Sequence, residues 1–356
     1  MPSRNVRHAV ILAAGQGTRF KSDKPKVLHE ICGKPMITYL LDRLGELGVD
    51  RTWVIVGERA EEVRSALVEY PLEFQLQSPQ LGTGHAVMTL LPVLGEISGS
   101  VLVLYGDTPL ISVSVLEQLF KTLEATGADE VLLTAELDVP DGYGRILRDG
   151  AGQVVDIIEE KEASPNQRAI REINAGFACF RAESLARSLP LLSNDNRAGE
   201  YYLTDLVKII SSRGGKVEGL CSAGENEIFG INNRAELAAA ETQMRRSINR
   251  RWMLEGVTFL DPERATVDAE AEIGVDTTVL VGAVIRGRTR IGRGCVIGTY
   301  TYLEDAVLED NARVEHCAIV RGAHVEKGRT VPPFSRLETP KTPGGNAEDG
   351  SGGERG

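Results

Sequence analysis

The first part of the chain alternates short apolar runs with stretches in which apolar residues recur at helical spacing. Residues 10–14 and 53–57 are apolar runs that end at a turn. Between them, residues 36–47 carry apolar side chains at every third or fourth position, with Pro35 before the stretch and Gly48 after it. Proline suits the first turn of a helix and glycine suits its end, so this stretch predicts a helix. The alternation predicts an α/β domain with a parallel sheet covered by helices.

The later apolar runs of this part are less regular. Residues 131–137, 154–159 and 176–180 predict a mixed sheet that frames a substrate pocket. Residues 234–255 then place apolar side chains on one stripe up to Gly256, which predicts a single long helix connecting two domains.

A period of six residues governs the next segment. Such a period fits neither a helix nor a simple alternating strand, whereas it is the signature of a parallel β-helix with one aliphatic side chain per short strand pointing into a triangular core. The register slips by one residue twice, and three hexapeptides per coil would give about four coils. The aliphatic positions are Val267, Ile273, Val279, Ile285, Ile291, Ile297, Leu303, Leu308, Val314, Val320, Val325 and Val331.

These patterns divide the chain into four parts. They are a domain over 1–232, a helical linker over 233–256, a β-helix over 257–335 and a tail over 336–356. The tail is rich in glycine and charge and nearly free of apolar residues, so it is expected to be disordered.

Charge narrows the range of partners. Fifty-one acidic residues against forty basic ones leave a net charge of −11. Nucleic acids and anionic membranes are therefore not expected partners, because binding to either rests on Lys and Arg. The five scattered cysteines lack a CxxC spacing, which is typical of reduced core thiols in a cytoplasmic protein.

A glycine-rich turn carries the strongest local signal. Residues 12–20 read LAAGQGTRF, and Lys26 follows shortly after. Glycines let backbone N–H groups approach phosphate oxygens, while Arg19 and Lys26 supply positive charge. The turn lacks the third glycine of a dinucleotide-binding fingerprint and the GK[ST] of a P-loop. Two glycines are often only a turn, but the basic residues at these offsets favour a phosphate-binding loop.

A second signal is an aspartate at the end of a strand. The apolar run 101–105 leads into Gly106 and Asp107. Open α/β sheets bind ligands at the carboxyl ends of their strands, and a carboxylate near phosphates is a natural Mg²⁺ ligand. An aspartate before Thr-Pro is also common in turns and caps, so the residues alone leave both interpretations open.

A third signal is the polar segment over 77–85, which includes Gln77, Gly82, Thr83 and His85. Amide side chains and exposed backbone can read a nucleobase edge through paired hydrogen bonds. Taken alone the segment is an ordinary polar loop, and His85 is more typical of a structural residue than of a catalytic one.

Together these segments resemble the sugar-1-phosphate nucleotidyltransferases. The resemblance is closest to the uridylyltransferase half of the family that combines N-acetylglucosamine-1-phosphate uridylyltransferase with glucosamine-1-phosphate acetyltransferase. It implies a Rossmann-like nucleotidyltransferase domain, a helical arm and a left-handed β-helix that forms a homotrimer. The motifs that carry it, in chain order, are LAAGQGTRF, KPK, QLGTGH, YGD, GYGR, EIN and GINNR.

The resemblance also implies a role for each matching residue. Arg19 and Lys26 would be catalytic, because they stabilise charge on the triphosphate and on the leaving pyrophosphate. The nucleotide would contact Leu12, Ala13, Ala14, Gly15, Arg19 and Lys26; uracil would be read by Gln77, Gly82 and Thr83; Tyr105 and Gly106 would line the site; Asp107 and Asn232 would hold Mg²⁺; and Gly144, Glu159 and Asn174 would contact the acetylated amino sugar.

The implied reaction joins UTP to N-acetylglucosamine 1-phosphate and releases pyrophosphate. Family members with both activities have a longer β-helix that carries an acetyl-CoA pocket and a catalytic histidine. Here the repeats stop near Val331, and His316 and His324 lack that histidine's sequence context. Acetyl transfer is therefore expected to be missing.

Two other functions stay open at this stage. One keeps the chemistry but uses another sugar, such as glucose 1-phosphate, or another donor, such as dTTP. The other is a non-catalytic trimeric assembly protein built around the β-helix. The presence of Arg19, Lys26, Asp107 and Asn232 together argues against the second.

Overall fold

The computed structural model describes residues 5–221, 228 and 230–339. Contacts divide the chain into two compact units, one of Met1–Ile31 with Pro35–Ala240 and one of Cys32–Lys34 with Glu241–Gly356. The domain limits drawn from the sequence stay a prediction. Most of the predicted disordered tail, residues 340–356, lies outside the described residues.

Strands and helices alternate through the first unit, as the apolar runs predict. Its helices are α1 (Met36–Glu46), α2 (Ala60–Ala66), α3 (Thr83–Met88), α4 (Leu91–Leu94), α5 (Val113–Thr126), α6 (Pro165–Arg168), α7 (Ala182–Ser188) and α8 (Asp205–Ser212), and α9 (Arg234–Leu254) follows them. The strands of this part of the chain are β1 (Arg7–Leu12), β2 (Glu30–Ile31), β3 (Lys34–Pro35), β4 (Arg51–Val56), β5 (Glu73–Leu76), β6 (Ser100–Tyr105), β7 (Glu130–Glu136), β8 (Arg145–Arg148), β9 (Val154–Ile158), β10 (Glu172–Arg181) and β11 (Val217–Cys221).

A mixed sheet of nine strands forms the centre of this unit. Its order is β11-β7-β10-β6-β1-β4-β5, with β8 and β9 extending from β10. Strands β5, β4, β1 and β6 are parallel, whereas β10 runs antiparallel to β6 and β7. Two clusters of buried apolar side chains contain alternate residues of β1, which shows that the strand is covered on both faces. The α/β prediction is confirmed.

The chain reverses direction across the sheet between β1 and β6. From β1 it proceeds outward through β4 to β5, then returns to place β6 on the other side of β1. Ligands of open α/β sheets bind at the carboxyl ends of the strands beside such a switch point. Leu12 and Tyr105 end these two strands, and they are partners in the register.

The second unit is a left-handed parallel β-helix, as the hexapeptide period predicts. Its strands stack into three sheets of five, five and four strands. All twelve aliphatic positions of the period lie in its strands and are at most 5 % exposed. The strands are β12 (Thr258–Phe259), β13 (Thr266–Val267), β14 (Glu272–Ile273), β15 (Thr278–Val279), β16 (Val284–Arg286), β17 (Arg290–Ile291), β18 (Val296–Ile297), β19 (Tyr302–Glu304), β20 (Val307–Leu308), β21 (Arg313–Val314), β22 (Ile319–Arg321), β23 (His324–Val325), β24 (Thr330–Val331) and β25 (Arg336–Glu338).

The two register slips shorten the coils by one residue. Val284 pairs with Tyr302, eighteen residues on, whereas Tyr302 pairs with Ile319, only seventeen residues on. Both slips fall at the corner that leads from the second sheet into the third, after Leu303 and after Val320. The final strand, β25, extends the stack three residues past the predicted end at residue 335.

No helix among the described residues is long and apolar enough to cross a membrane. The prediction of five core cysteines is wrong for two of them, because Cys221 is exposed and Cys317 is half-buried. Cys221 is the last residue of β11, the edge strand of the sheet.

Candidate active site

The glycine-rich turn leaves β1 at the switch point of the sheet. The Ala13 N–H donates to the carbonyl of Ile55 (2.9 Å), which fixes the start of the turn. Gly15 is exposed, and a Cβ added there would meet nothing within 4 Å. Gly17 has a φ of +61°, and a Cβ there would come within 2.9 Å of the Lys26 Cβ. Only glycine therefore lets Lys26 lie so close to the turn.

Four predicted residues converge next to this turn. The Lys26 Nζ donates to the Asp107 carboxylate and, over 3.0 Å, to the Asn232 Oδ1. Arg19 donates to the same Asn232 oxygen over 2.8 Å. The Lys26 and Asp107 side chains are only 13% and 19% exposed, so solvent screens their charges weakly. A largely covered ion pair beside a glycine-rich backbone turn is suited to binding a polyphosphate.

Local structure holds Asp107 and Asn232 in place. Asp107 follows β6, and its carbonyl accepts from the Ile231 N–H (2.9 Å), which joins the two segments. The Asn232 amide nitrogen Nδ2 donates to the Gly230 carbonyl (3.0 Å), so its oxygen faces the cations. The backbone of Gly230 passes close to Asp107, since a Cβ on Gly230 would lie in van der Waals contact with the Asp107 Oδ1 at 3.5 Å.

The donor set at this point fits a divalent cation. One carboxylate and one amide oxygen both contact the Lys26 ammonium, so a single positive charge already bridges them. Mg²⁺ is typically held by one or two protein oxygens and completes its shell with phosphate oxygens and water. Among the described residues there is no group of three or more His, Cys, Asp or Glu side chains that could hold a metal by themselves. Substrate phosphates would therefore have to complete the shell of any cation bound by Asp107 and Asn232.

The polar loop after β5 is rigidly held. Gln77 is buried, and its Nε2 donates to the Gly82 carbonyl over 2.9 Å. Tyr201 accepts from the Gly84 N–H and donates its own N–H to Leu81, both over 2.8 Å. The predicted base-reading residues Gln77 and Gly82 are thus in direct contact.

Gln80 joins this loop to the glycine-rich turn. Its Nε2 donates to the Ala14 carbonyl over 2.6 Å. A Cβ on Gly57 would come within 2.2 Å of that nitrogen and 2.7 Å of the Ala14 oxygen, so glycine is needed where the bond passes. No role is predicted for Gln80 from the sequence, although it is the first residue of the QLGTGH motif.

A cleft of about 310 Å³ opens beside the turn. Ala13, Ala14 and Gly15 form one wall, and Gln80 and Arg59 contribute to the rest. The cleft thus gives access to three of the residues expected to contact a nucleotide, and its size is at the lower end of small-molecule sites.

The predicted sugar-binding residues form a separate group. Glu159 follows β9 and accepts a hydrogen bond from the Thr204 hydroxyl over 2.8 Å. The Asn174 N–H donates to the Gly144 carbonyl over 2.9 Å. A Cβ on Gly144 would lie 2.8 Å from the Ile157 Cγ2 and 3.7 Å from the Glu159 Oε1, so no larger residue fits. Thr204 was missed because nothing in its local sequence marks it.

Tyr105 lies between these groups. Its hydroxyl shares a hydrogen bond with Thr83, and burial together with the negative charges of Glu159 and Asp107 raises the pKa of the phenol. The hydroxyl therefore stays protonated. A Cβ on Gly176 would lie 3.0 Å from the Tyr105 ring, and Gly176 lies within the register shift of β10 between Asn174 and Ala178.

A carboxylate beside Glu159 is strongly perturbed. Burial, together with the charges of Asp156 and Glu159, raises the pKa of Asp205 to about 6. Asp205 begins α8 and directly follows Thr204. It was not predicted as a site residue, since a perturbed carboxylate is recognisable only from its neighbours in space.

Known proteins match this chain over most of its length. Residues 9–200 match the profile of the MobA-like NTP transferase domain. Over 331 residues the chain is 43% identical to the bifunctional protein GlmU of Halalkalibacterium halodurans, covering 93% of this chain and 72% of that relative. It is 45% identical over 328 residues to the bifunctional protein GlmU of Thermus thermophilus, covering 92% of this chain and 72% of the relative. For the bifunctional protein GlmU of Shouchella clausii, the identity is 42% over 346 residues, with 97% and 76% covered.

Each of these alignments takes in more than nine tenths of this chain, so it includes residues of both compact units. The match with the transferase profile covers most of β1, the glycine-rich turn, Lys26, Asp107 and Glu159. The chain belongs to the GlmU family, and it is a nucleotidyltransferase.

Proposed function

We propose that this enzyme transfers UMP from UTP to N-acetylglucosamine 1-phosphate, giving UDP-N-acetylglucosamine and pyrophosphate. The observation that carries the proposal is the convergence of Lys26, Arg19, Asp107 and Asn232 beside the glycine-rich turn. Such a cluster can bind a triphosphate and can neutralise the charge that develops when pyrophosphate leaves.

The reaction needs no protein nucleophile. An oxygen of the sugar phosphate, already ionised at neutral pH, forms a bond to the α-phosphorus of UTP. The bond from that phosphorus to the oxygen bridging to the β-phosphorus breaks, and the electron pair leaves with pyrophosphate. Catalysis then consists of positioning and charge stabilisation.

Arg19 and Lys26 are proposed to supply that stabilisation. Arg19 is exposed and can follow the triphosphate, whereas Lys26 is held at Asp107 and Asn232. Asp107 and Asn232 are proposed to hold Mg²⁺, which when bound supplies further positive charge to the phosphate oxygens. Lys26 then turns its ammonium from these two oxygens to the phosphates.

Substrate selection is proposed to involve two separate groups of residues. Gln77, Gly82 and Thr83 read the base, and Gly144, Glu159 and Asn174 receive the acetylated amino sugar. Glu159 is a hydrogen-bond acceptor that suits sugar hydroxyls, and the Thr204 hydroxyl orients it. The bond between Thr83 and Tyr105 links the base-reading loop to the end of β6.

Pyrophosphate release with a panel of substrates tests the proposal. UTP with N-acetylglucosamine 1-phosphate and Mg²⁺ is expected to give the highest kcat/KM, with glucose 1-phosphate or dTTP well below it. Equal rates with all sugar phosphates would contradict the proposed sugar. Wild-type Mg²⁺ dependence in Asp107→Ala would contradict the metal site.

The proposal extends to acetyl transfer, to the oligomeric state and to the location of the protein. We propose that acetyl transfer is absent, so acetyl-CoA and glucosamine 1-phosphate should release no free CoA. We propose a homotrimer formed through the β-helix, which sedimentation of the full chain tests. A cytoplasmic location stays a prediction.

A further inference from the structure

The hydrogen bonds of the Gln77 carboxamide fix its orientation in the loop after β5. Its Nε2 lies 2.9 Å from the Gly82 carbonyl oxygen and 3.1 Å from the Nδ1 of His85. A carbonyl oxygen can only accept, so the nitrogen of the carboxamide must face it. The two hydrogens of that nitrogen are then both used, one on Gly82 and one on His85.

This arrangement fixes the proton on His85. Because Gln77 donates to it, the Nδ1 acts as the acceptor, and the ring hydrogen is placed on Nε2. The backbone around it keeps the geometry rigid, since Gly84 and Leu81 are both bonded to Tyr201. A Cβ on Gly82 would lie 2.6 Å from the Tyr201 carbonyl oxygen, so only glycine fits against Tyr201 at this position.

The oxygen of Gln77 is left for a ligand. Among residues 5–221, 228 and 230–339, no donor bonds to Oε1, and this oxygen is not one of the fully enclosed polar atoms without a partner. The only hydrogen-bonding function that Gln77 can offer is therefore acceptance.

We propose that His85 is the positioning residue that makes this base reader select uracil against cytosine. The inference rests on the proposed uridylyl transfer and deepens it. Uracil carries an N–H donor at ring position N3, whereas cytosine has a lone pair there. When the Gln77 carboxamide is held with its oxygen towards the ligand, that oxygen accepts a hydrogen bond from the uracil N3–H. With cytosine, the same oxygen would face the lone pair of N3, and the two would repel. Without the His85 acceptor only the Gly82 carbonyl still holds the carboxamide nitrogen, so the rotated carboxamide that offers N–H to cytosine loses one hydrogen bond instead of two.

His85 acts through Gln77 and does not touch the reacting phosphates. Its replacement should therefore change selectivity more than turnover. A polar group that rejects an analogue through an unmatched hydrogen bond contributes on the order of tenfold to a hundredfold in discrimination.

The test compares His85→Leu with His85→Asn in the full chain. Leucine removes the acceptor, whereas the Asn Oδ1 can occupy the place of Nδ1 and accept from Gln77. We expect His85→Leu to lower the ratio of kcat/KM for UTP to that for CTP by about tenfold to a hundredfold. The change should come from the KM for UTP, and His85→Asn should retain most of the ratio.

The ratio is measured within one sample, so partial unfolding of a variant cancels. An unchanged ratio in His85→Leu, or an equal loss in both variants, would overturn the role of His85. Absence of pyrophosphate release by the wild type with UTP would instead overturn the proposed function.

A second measurement needs no variant. The ¹⁵N chemical shifts of the His85 ring report which nitrogen carries the proton. We expect the proton on Nε2 and a bare Nδ1. A proton on Nδ1 would refute the inference even if His85→Leu failed to fold.

Discussion

The two compact units place their charged side chains by different rules. In the β-helix, Arg288 and Arg290 lie 3.6 Å and 3.7 Å from Glu270 and Glu272, each eighteen residues back along the chain. In the α/β unit, Lys26 contacts residues 81 and 206 positions away. The first spacing equals one coil of the repeat, whereas the second depends on how a whole sheet is ordered.

This difference also appears in burial. The ladder of charges on the β-helix is exposed, with Arg290 and Glu272 both 67% exposed, whereas Lys26 and Asp107 are largely covered. Exposed pairs contribute little to stability, while covered pairs carry strong local fields. The positions of the charged pairs on the β-helix therefore follow from the repeat, whereas the Lys26–Asp107 pair of the α/β unit is suited to binding phosphates. Four substitutions examine this contrast.

The largest effect is expected for Lys26→Met. Removing the ammonium leaves Asp107 and Asn232 without their shared partner and takes a positive charge from the phosphates, so kcat/KM should fall about 10²–10³-fold. Steady-state pyrophosphate release measures the loss. Lys121→Met, which removes an exposed lysine paired with Glu117 on α5, is the matched control and should stay within about twofold. A Lys26→Met enzyme with near-wild-type turnover would remove this residue from the mechanism.

The next effect is on the stability of the repeat. Ile297 is fully buried in β18, and Ile297→Ala should lower the free energy of unfolding by about 2–5 kcal/mol. Its neighbour Val296 is only half-buried on the same strand, so Val296→Ala should cost clearly less. Chemical denaturation measures both. Because none of the proposed site residues lies in the β-helix, kcat at temperatures below unfolding should not change, and a large drop in kcat would contradict the separation of roles.

A smaller and pH-dependent effect is expected at Asp205. Its pKa is about 6 in the folded chain against an ordinary value of 3.8, so ionisation opposes folding. Below pH 3.8, Asp205→Asn should match the wild type in stability. The advantage of the variant should grow between pH 3.8 and about 6 and level off above 6, at up to about 2 kcal/mol because the side chain is partly exposed to solvent. Unfolding curves across this pH range measure it, and an advantage that is constant with pH would show that burial of the charge is not the cause.

The smallest effect is expected on the charge ladder. Arg290→Gln removes an exposed pair with Glu272 and should change the free energy of unfolding by less than about 0.5 kcal/mol. A double-mutant cycle with Glu272→Gln isolates the pair. A coupling energy above about 1 kcal/mol would mean that the ladder stabilises the β-helix in a way that its exposure does not predict.

Sequence alone predicts the β-helix almost residue by residue, because its strand pairs join positions one coil apart. The run from Val267 to Val331 therefore contains both the core and the strand register. The elements of the α/β unit are also predictable, since α1 and β6 have clear periodicity and clear ends.

The site is only partly predictable. Arg19, Lys26 and Asp107 belong to recognisable motifs, whereas Thr204 meets Glu159 only because α8 packs beside β9. The bond from Gln80 to Ala14 likewise depends on two loops that are 66 residues apart. Such contacts are set by the order of strands in the sheet, and no local pattern contains that order.

The corner that follows Leu303 and Val320 has a practical consequence. The corresponding step from Ile285 to Ile291 takes six residues, whereas these two steps take five, yet the strands on either side keep their pairing. A corner that tolerates a change of one residue in length can also accept an inserted loop, because the entropic cost of closing a loop rises only slowly with its length. This corner is therefore a suitable attachment point for an epitope tag or a fluorescent reporter, remote in sequence from every residue assigned to nucleotide chemistry.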